Sequence, residues 1–109
     1  MDQQLRHGLL EVSVLTALYK EDSYGYRIIK DISPYLKISE STLYPILRRL
    51  ETGNFLSVYS VEHNGRLRKY YKITDSGRAK IEDFLSGWEE VMKVYEYIRD
   101  EVQGGKEHD

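Results

Sequence analysis

Residues 55–74 read FLSVYSVEHNGRLRKYYKIT and decide the fold, because apolar and polar residues alternate on both sides of Asn64-Gly65. An Asn-Gly pair between two alternating segments is the strongest short signal for a two-residue type I′ hairpin turn. The turn fixes the register, so that His63 faces Arg66 and the pairs continue outward. The pairs expected at the base are Val58 with Tyr71 and Leu56 with Ile73. The sequence therefore predicts a hairpin with an apolar base and a basic tip.

The segment before the hairpin, residues 38–53, reads ISESTLYPILRRLETG and predicts a helix. Its apolar residues recur at helical spacing, and either Ser39 or Ser41 is suited to cap its start. Pro45 has no backbone N–H, and the missing bond would reach the carbonyl of Ser41, at the front edge of the helix. We therefore expect the helix to continue to about Thr52. Its buried row is Ile38, Leu43, Ile46, Leu47 and Leu50.

Two further helices are predicted upstream. Residues 4–20 form the first, with an apolar row at steps of three and four. The second begins with Ser23 as N-cap and ends near Ile32 or Ser33, since the residue before Pro34 disfavours helical angles. The row of the first helix is Leu5, Leu9, Val12, Leu15 and Leu18. The buried stripe of the second is Tyr26, Ile29 and Ile32, with Ile28 beside it.

A last helix is predicted from about Ser76 to Val102, capped by Thr74 or Asp75. Its apolar stripe is wider and longer than a small three-helix body could cover, which is typical of a helix that packs against its own symmetry mate. The stripe contains Ile81, Phe84, Leu85, Trp88, Val91, Met92, Tyr95, Ile98 and Val102. Residues 103–109, QGGKEHD, are predicted to fray. We divide the chain into a domain of residues 1–74 and a helix with its tail at 75–109.

Composition narrows the class of protein. The chain has 109 residues, 40% of them hydrophobic and 31% charged, which is typical of one globular domain. It has no cysteine, so disulfides and thiolate sites are excluded. No apolar run approaches the ~20 residues of a membrane span, and the N-terminus lacks the pattern of a signal peptide. We therefore expect a cytoplasmic protein.

Charge is segregated along the chain. Residues 39–72 carry six basic and three acidic side chains, a net of +3, whereas residues 75–109 carry five basic and ten acidic ones, a net of −5. Such segregation can direct a polyanion to one face of an acidic protein, and ordinary scatter is the alternative.

No enzyme site is indicated. The histidines His7, His63 and His108 lie far apart, and no set of histidine and carboxylate residues has metal-ligand spacing. There is no glycine-rich phosphate loop. We predict no catalytic residues, no metal and no cofactor.

The order helix, helix, helix, hairpin, long helix predicts an α+β fold, mainly α, of the winged helix-turn-helix type. In such folds the third helix enters the DNA major groove with its N-terminal residues. Small hydroxyls and an aromatic ring at these positions can contact bases or phosphates, and Arg48 can reach the backbone. Arg49 is offset and is expected to pair with Glu51 or Asp31. The candidates are Ser39, Ser41, Thr42, Tyr44, Pro45 and Arg48; an ordinary surface helix is the alternative.

The hairpin tip adds basic residues to this candidate interface. Arg66 follows the turn and is suited to a narrow minor groove, while Arg68 and Lys69 lie on opposite faces and can hold phosphates. Asn64 and Gly65 form the turn itself. Alternatively, the basic residues of the tip serve only to keep an exposed strand edge soluble.

Three segments together, SYGYRIIKDI, ISESTLYPILRRLETG and NGRLRKYYKITDSGRAKI, resemble the PadR family of bacterial winged-helix transcriptional regulators. The resemblance spans residues 5–81, and the single last helix resembles the small subfamily. It implies a homodimeric repressor on a pseudo-palindromic operator, with DNA contacts around Thr42–Tyr44 and Arg66. Leu67 interrupts the run of basic residues that relatives often carry. The implied dimer residues are Leu5, Leu9, Phe84, Leu85, Trp88, Val91, Tyr95 and Ile98.

The segment FLSGWEEV is similar to that of a multidrug-sensing member of this subfamily, which implies a small aromatic or cationic effector stacked on Trp88. Met92 and Glu11 complete the implied ligand site, Glu11 as a negative charge that favours cations. Alternatively, Trp88 anchors only the dimer core. A function of another class also stays open, that of a winged-helix protein-interaction module without DNA binding.

Overall fold

A computed structural model describes residues 1–104, and it confirms the predicted order of elements and the mainly α fold class. Three helices precede an antiparallel hairpin, and a long helix follows it, as in a winged helix-turn-helix. The elements are α1 (Gln3–Ala17), α2 (Gly25–Ile32), α3 (Glu40–Thr52), β1 (Leu56–His63), β2 (Arg66–Ile73) and α4 (Asp75–Gln103). The predicted frayed tail lies outside the described residues from position 105 onward.

The hydrophobic core joins the first three helices to the base of the hairpin. The apolar row predicted for α3 is buried in full and lies at the centre of this core. Burial of such side chains is the main favourable term in folding. The buried residues are Leu10, Val14, Leu15 and Leu18 in and just after α1, Ile28 and Ile32 of α2, Ile38, Leu43, Ile46, Leu47 and Leu50 in and before α3, Leu56, Tyr71 and Ile73 of the hairpin, and Ile81 of α4.

The hairpin has the predicted register at every pair, from Leu56 opposite Ile73 to His63 opposite Arg66. Its turn residues Asn64 and Gly65 have φ angles of 51° and 78°, as a type I′ turn requires. The register is therefore a local consequence of two turn residues that tolerate positive φ.

The structure selects one of the two caps that the sequence left open at each of two helices: Ser39 at α3 and Thr74 at α4. The Thr42 backbone N–H donates to Ser39 Oγ at 3.3 Å, and the Gly77 N–H donates to Thr74 Oγ1 at 3.1 Å. The helix α3 runs unbroken through Pro45 to Thr52, as expected. The left-handed residue after it is Asn54, with φ 64°.

The row predicted for α1 is divided between the core and a more exposed surface. Leu15 and Leu18 are buried together with Leu10 and Val14, which are not part of the predicted row, whereas Leu9 and Val12 are half-buried and Leu5 is exposed. The helix carries two apolar rows: one faces α2 and α3, and the other, which includes Leu9 and Val12, lies on the side of α4. Periodicity alone could not assign each row to its neighbour.

The start of α2 also differs from the prediction. Ser23 is not its cap, because the backbone of Ser23 pairs with Tyr71 of β2 and the helix begins only at Gly25. Tyr26 is not buried: it is 68% exposed, whereas Ile28 and Ile32 fill the core. A tertiary strand contact thus displaces a local capping preference.

Helix α4 extends away from this body. Its 29 residues span about 43 Å at 1.5 Å per residue, and the molecule measures 70 × 25 × 22 Å. Only the first turns pack on the body, where Ile81 and Gly77 are buried. Within residues 1–104 no helix has the length and apolar character to cross a membrane.

Candidate nucleic-acid interface

The outward face of α3 presents all six predicted contact residues to solvent: Ser39, Ser41, Thr42, Tyr44, Pro45 and Arg48. Three hydroxyls are connected at its start, where Ser39 Oγ lies 3.0 Å from Ser41 Oγ and 3.2 Å from Thr42 Oγ1. Ser39 is thus engaged as the cap, and Ser41 and Thr42 are the hydroxyls that stand further out along the helix. Fixed hydroxyls of this kind can donate to or accept from base edges and phosphates.

The Tyr44 ring packs closely against the backbone of Gly25 in α2. A side chain at Gly25 would meet the Tyr44 hydroxyl and the ring carbon that bears it. The tyrosine therefore lies over the first residue of α2 and remains 38% exposed. This close approach explains why the segment SYGYRI carries glycine at its centre.

One cleft brings the helix and the hairpin together. Its volume is about 330 Å³, and it lies between the start of α2, the exposed face of α3 and strand β2. Tyr44 contributes from α3 and Lys69 from β2. The lining residues are Tyr24, Gly25, Tyr26, Tyr44, Arg68, Lys69 and Tyr71. Sequence reasoning missed Tyr26 here, because its spacing suggested a core residue.

The hairpin tip is exposed and cationic. Asn64, Gly65 and Arg66 are all exposed, and Arg66 has no ion pair with any residue in the described range 1–104. Leu67 beside it is 77% exposed. The tip can therefore approach a polyanion without first breaking a contact of its own.

Arg68 is held against the body of the protein. Its guanidinium carbon lies 4.1 Å from the centroid of the Tyr24 ring. Tyr24 meets Tyr70 edge to face, with ring centroids 5.5 Å apart, and Tyr70 stacks on Tyr59 at 5.8 Å. This series of contacts, which we call the wing clamp (Tyr24, Tyr59, Arg68 and Tyr70), ties the hairpin to the segment before α2.

The wing clamp ends in a short hydrogen bond. The Tyr59 hydroxyl donates to the Asp22 carboxylate at 2.6 Å. That hydrogen bond, followed by desolvation and the charge of Asp22, raises the pKa of Tyr59. Arg68 itself contacts the Tyr24 ring outside the hairpin, and its contact with a phosphate remains a prediction.

The sequence suggested that Arg49 pairs with Glu51 or Asp31, but the structure shows a different partner. The Arg49 Nε donates to Glu11 Oε2 at 2.9 Å, and its guanidinium also contacts His7 Nε2. Glu11 and His7 are one turn apart on α1, with His7 Nε2 3.5 Å from Glu11 Oε2. The separation of 38 residues between Glu11 and Arg49 explains why no local rule identified this pair.

A second concave surface lies between α1 and α4. This α1–α4 groove has a volume of about 470 Å³, and the rings of Phe84 and Trp88 lie 6.0 Å apart along it. Glu11 lines the groove, as the resemblance implied, but its charge is already paired with Arg49. Met92, also expected in the ligand site, is not among the lining residues. The lining residues are Gln4, Leu5, Gly8, Leu9, Glu11, Val12, Lys80, Asp83, Phe84 and Trp88.

The residues expected at a dimer contact lie in two places. Leu85, Val91, Tyr95 and Ile98 are exposed along α4, whereas Phe84 and Trp88 are half-buried at the edge of the groove. Leu5 of α1 is exposed and Leu9 is half-buried. Exposed apolar surface of this extent marks an interaction site in most proteins. As for metals, the part of the chain that the structure describes contains no group of three or more metal-ligating side chains.

A family model described as "Transcriptional regulator PadR-like family" matches residues 14–83. The match begins within α1, includes α2, α3 and the whole hairpin, and ends in the early part of α4. Among curated proteins, one from Mycobacterium tuberculosis described as a transcriptional regulator is 26% identical over 107 residues. Those residues are 97% of this chain and 94% of that protein.

Solved structures agree with this match. A PadR-like transcription factor from Bacteroides fragilis superposes with a TM-score of 0.78 at 36% identity, covering 87% of this chain and 94% of that one. The PadR protein of Bacillus subtilis, solved in complex with operator DNA, superposes with a TM-score of 0.65 at 26% identity. That alignment covers 71% of this chain and 46% of the longer Bacillus subtilis chain.

Proposed function

The chain belongs to the PadR-like family of transcriptional regulators, and from this premise we propose that it is a homodimeric repressor that binds a pseudo-palindromic DNA operator. Members of this family regulate transcription and are not enzymes, in agreement with the predicted absence of a catalytic site. In the proposed division, residues 1–74 bind DNA in the bacterial cytoplasm, and residues 75–109 carry the dimerisation helix.

The observation that carries the proposal is the shared cleft between α3 and the hairpin. Tyr44 and Lys69 line the same cleft, so a duplex that receives α3 in its major groove passes beside β2 as well. The Bacillus subtilis relative, solved with operator DNA, supports the same use of this fold. Ser41, Thr42 and Tyr44 are proposed to contact base edges, and Arg48 to reach the phosphate backbone.

The hairpin supplies the second set of contacts. Arg66, exposed and without an ion pair in the described range, is proposed to enter the minor groove. Lys69 and the exposed Tyr26 then contact phosphates on either side of the cleft. The full proposed set is Tyr26, Ser39, Ser41, Thr42, Tyr44, Pro45, Arg48, Asn64, Gly65, Arg66, Arg68 and Lys69, with Ser39 and Arg68 acting mainly by orienting their neighbours.

The proposed dimer follows from the uncovered apolar face of α4. A surface that contains Val91, Tyr95 and Ile98 is too apolar to stand alone, and a second copy offers a matching one. A two-fold axis there presents two copies of α3 to two half-sites about one helical turn of DNA apart. Leu5, Leu9, Phe84, Leu85 and Trp88 extend the same face toward α1.

We further propose a small planar aromatic or cationic effector in the α1–α4 groove. The groove offers the rings of Phe84 and Trp88 and the carboxylate of Glu11. Because Trp88 is the sole tryptophan of the chain, its fluorescence reports binding directly. Titration with planar dyes that leaves this fluorescence unchanged would argue for a purely structural tryptophan.

The test of DNA binding begins with a random-sequence library, from which the full chain selects its preferred duplex. Affinity for that duplex should fall steeply with salt, since several counterions are released. Arg66→Ala should weaken binding to every sequence by about tenfold and lower the salt slope. Tyr44→Ala should instead reduce discrimination at defined bases. Lys93→Ala, on the distal part of α4, serves as the matched loss of one positive charge.

The same experiment separates the two classes of function. A protein-interaction module need not enrich any duplex, and its partner binding need not respond to Arg66. Failure to enrich any sequence at low salt, with the protein shown to be folded, would overturn the DNA-binding proposal.

A further inference from the structure

Glu11 belongs to two surfaces at once. Its carboxylate lines the α1–α4 groove beside Trp88, and it also accepts a hydrogen bond at 2.9 Å from Arg49 of α3. Among the residues from 1 to 104, this is the ion pair that connects α3 to another helix. The Glu11 carboxylate therefore supplies a negative charge to the groove and also links α3, the proposed DNA-reading helix, to α1.

The ion pair between Glu11 and Arg49 can be displaced by a second cation that competes for the carboxylate. The Glu11 side chain is 17% exposed, while the Arg49 side chain is 49% exposed and in contact with solvent. An ion pair with one solvated partner is weak, because water and salt screen it. A cation that is stacked on Trp88 and placed next to Glu11 can therefore compete with Arg49 for the carboxylate.

We propose that Glu11 is the residue through which a planar cation in the groove weakens operator binding, by drawing the carboxylate away from Arg49 and so loosening α3 from α1. This inference rests on the proposed function, and to the aromatic or cationic effector proposed there it adds the requirement for a positive charge and the route of its effect. A neutral molecule of the same shape can stack on Trp88, yet it has no charge to offer Glu11 and leaves the pair intact.

The location of Arg49 explains the direction of the effect. It follows Arg48, a proposed backbone contact, and lies one turn beyond Pro45 in α3. When Glu11 is drawn away, Arg49 loses its charge pair with α1 and keeps only its contact with His7, while the buried leucines of α3 stay in the core. The helix then holds its fold but is less restrained against the duplex. By thermodynamic linkage, bound operator must lower the affinity of the protein for the cation by the same factor.

A second groove carboxylate provides a matched control. Asp83 also lines the groove, but no ion pair joins it to α3 in the described part of the chain. Replacing Asp83 removes a negative charge from the groove without touching the link to Arg49. A purely electrostatic role of the groove would make Asp83 and Glu11 equivalent, whereas the proposed link makes them different.

The experiment measures affinity for the library-selected duplex with and without 1-methylquinolinium, a planar monocation, and 4-methylquinoline, its neutral counterpart. Saturable quenching of Trp88 fluorescence shows that each compound occupies the groove. In the wild-type dimer the cation should lower operator affinity by about five- to tenfold, within the usual range of allosteric coupling, and the neutral compound should not. Asp83→Asn should show the same decrease at saturating cation.

Glu11→Gln should bind the duplex as weakly as cation-bound wild type, and added cation should have no further effect. Arg49→Gln should behave the same way, and the double variant should be no weaker than either single one. Circular dichroism melts confirm that each variant folds.

The outcomes are distinguishable. If wild type selects no duplex, the proposed function itself fails. If it binds DNA, the inference is overturned by any of three results: no saturable quenching by the cation, quenching without loss of affinity, or an undiminished effect in Glu11→Gln.

Discussion

Helix α3 and the distal part of α4 carry the same kind of apolar row, but in opposite surroundings. In α3, Leu43 and Leu47 are at most 1% exposed, enclosed by helices of the same chain. In α4, Tyr95 and Ile98 recur at similar spacing and are 45% and 53% exposed. The period of a row thus shows which residues share a side, whereas the chain around it decides whether that side is covered.

This difference in burial gives the two helices different roles. The inner side of α3 is complete within one chain, so its outer side can be presented to DNA on a rigid base. The apolar side of α4 is incomplete within one chain, and its completion by a second copy is the proposed source of the two-fold arrangement. Stability should therefore depend on protein concentration through α4 and not through α3.

The largest effect is expected for Leu43→Ala in α3. Loss of a fully buried leucine side chain leaves a cavity and should reduce the free energy of unfolding by about 3 kcal/mol. The loss should be the same at every protein concentration, as measured by urea denaturation at two concentrations a hundredfold apart. Ile98→Ala is the matched truncation on α4, and its cost should appear only at the higher concentration. Equal costs for Ile98→Ala at both would contradict the comparison.

The next largest effect is expected for Ile98→Glu. A carboxylate in the apolar face of α4 would be buried without a partner in the dimer, so the dimer should dissociate. Affinity for the full palindrome should then fall by about 100-fold, because the two half-sites are no longer bound together, while half-site affinity stays the same. Sedimentation and titrations with both duplexes measure this. Lys93→Glu places a negative charge elsewhere on the distal part of α4 and should leave the dimer intact.

The sequence predicted those features that local chemistry controls. Asn64-Gly65 determined the hairpin register, and Ser39 and Thr74 determined two helix starts. The apolar spacing in α3 correctly predicted which of its residues are buried. These depend on neighbours within a few residues. In α1 the spacing identified an apolar row but not which of its residues are buried, because the helix carries two rows that face different partners.

The missed features all depend on contacts between distant segments. Ser23 is drawn into a bridge with Tyr71, and Arg49 pairs with Glu11 across 38 residues. Arg68 rests on Tyr24 and not in open solvent. In the candidate interface, sequence reasoning therefore selected residues that, apart from the half-buried Arg68, the structure exposes, but it could not show which of them orient others.

A smaller effect is expected for Gly25→Ala, which tests the outer side of α3. The new methyl group would meet the Tyr44 hydroxyl and displace the ring from the shared cleft. Operator affinity should fall by about tenfold, with discrimination reduced at the bases that Tyr44 is proposed to contact. Unfolding measurements should show little change, since the hydroxyl end of a tyrosine can move. The same substitution at Gly8, where no atom lies within 4 Å, should raise stability by about 0.5–1 kcal/mol. A Gly25→Ala protein that binds DNA normally would show that Tyr44 does not need this position.

The smallest effect concerns alkaline pH and again contrasts a covered residue with an exposed one. Burial, followed by the charges of Tyr44 and Glu51, raises the pKa of Tyr71 above its ordinary value of about 10. The folded protein therefore holds this proton more tightly than the unfolded chain does. The resulting stability is fully present below pH ~10 and is lost as the pH rises through the folded-state pKa. Tyr71→Phe should make the loss of stability above pH ~10 less steep, as followed by urea denaturation at several pH values. Tyr97→Phe, at an exposed position of α4, controls for the loss of one tyrosine. An identical alkaline profile for Tyr71→Phe and wild type would show that burial at the base of the hairpin does not favour the neutral phenol.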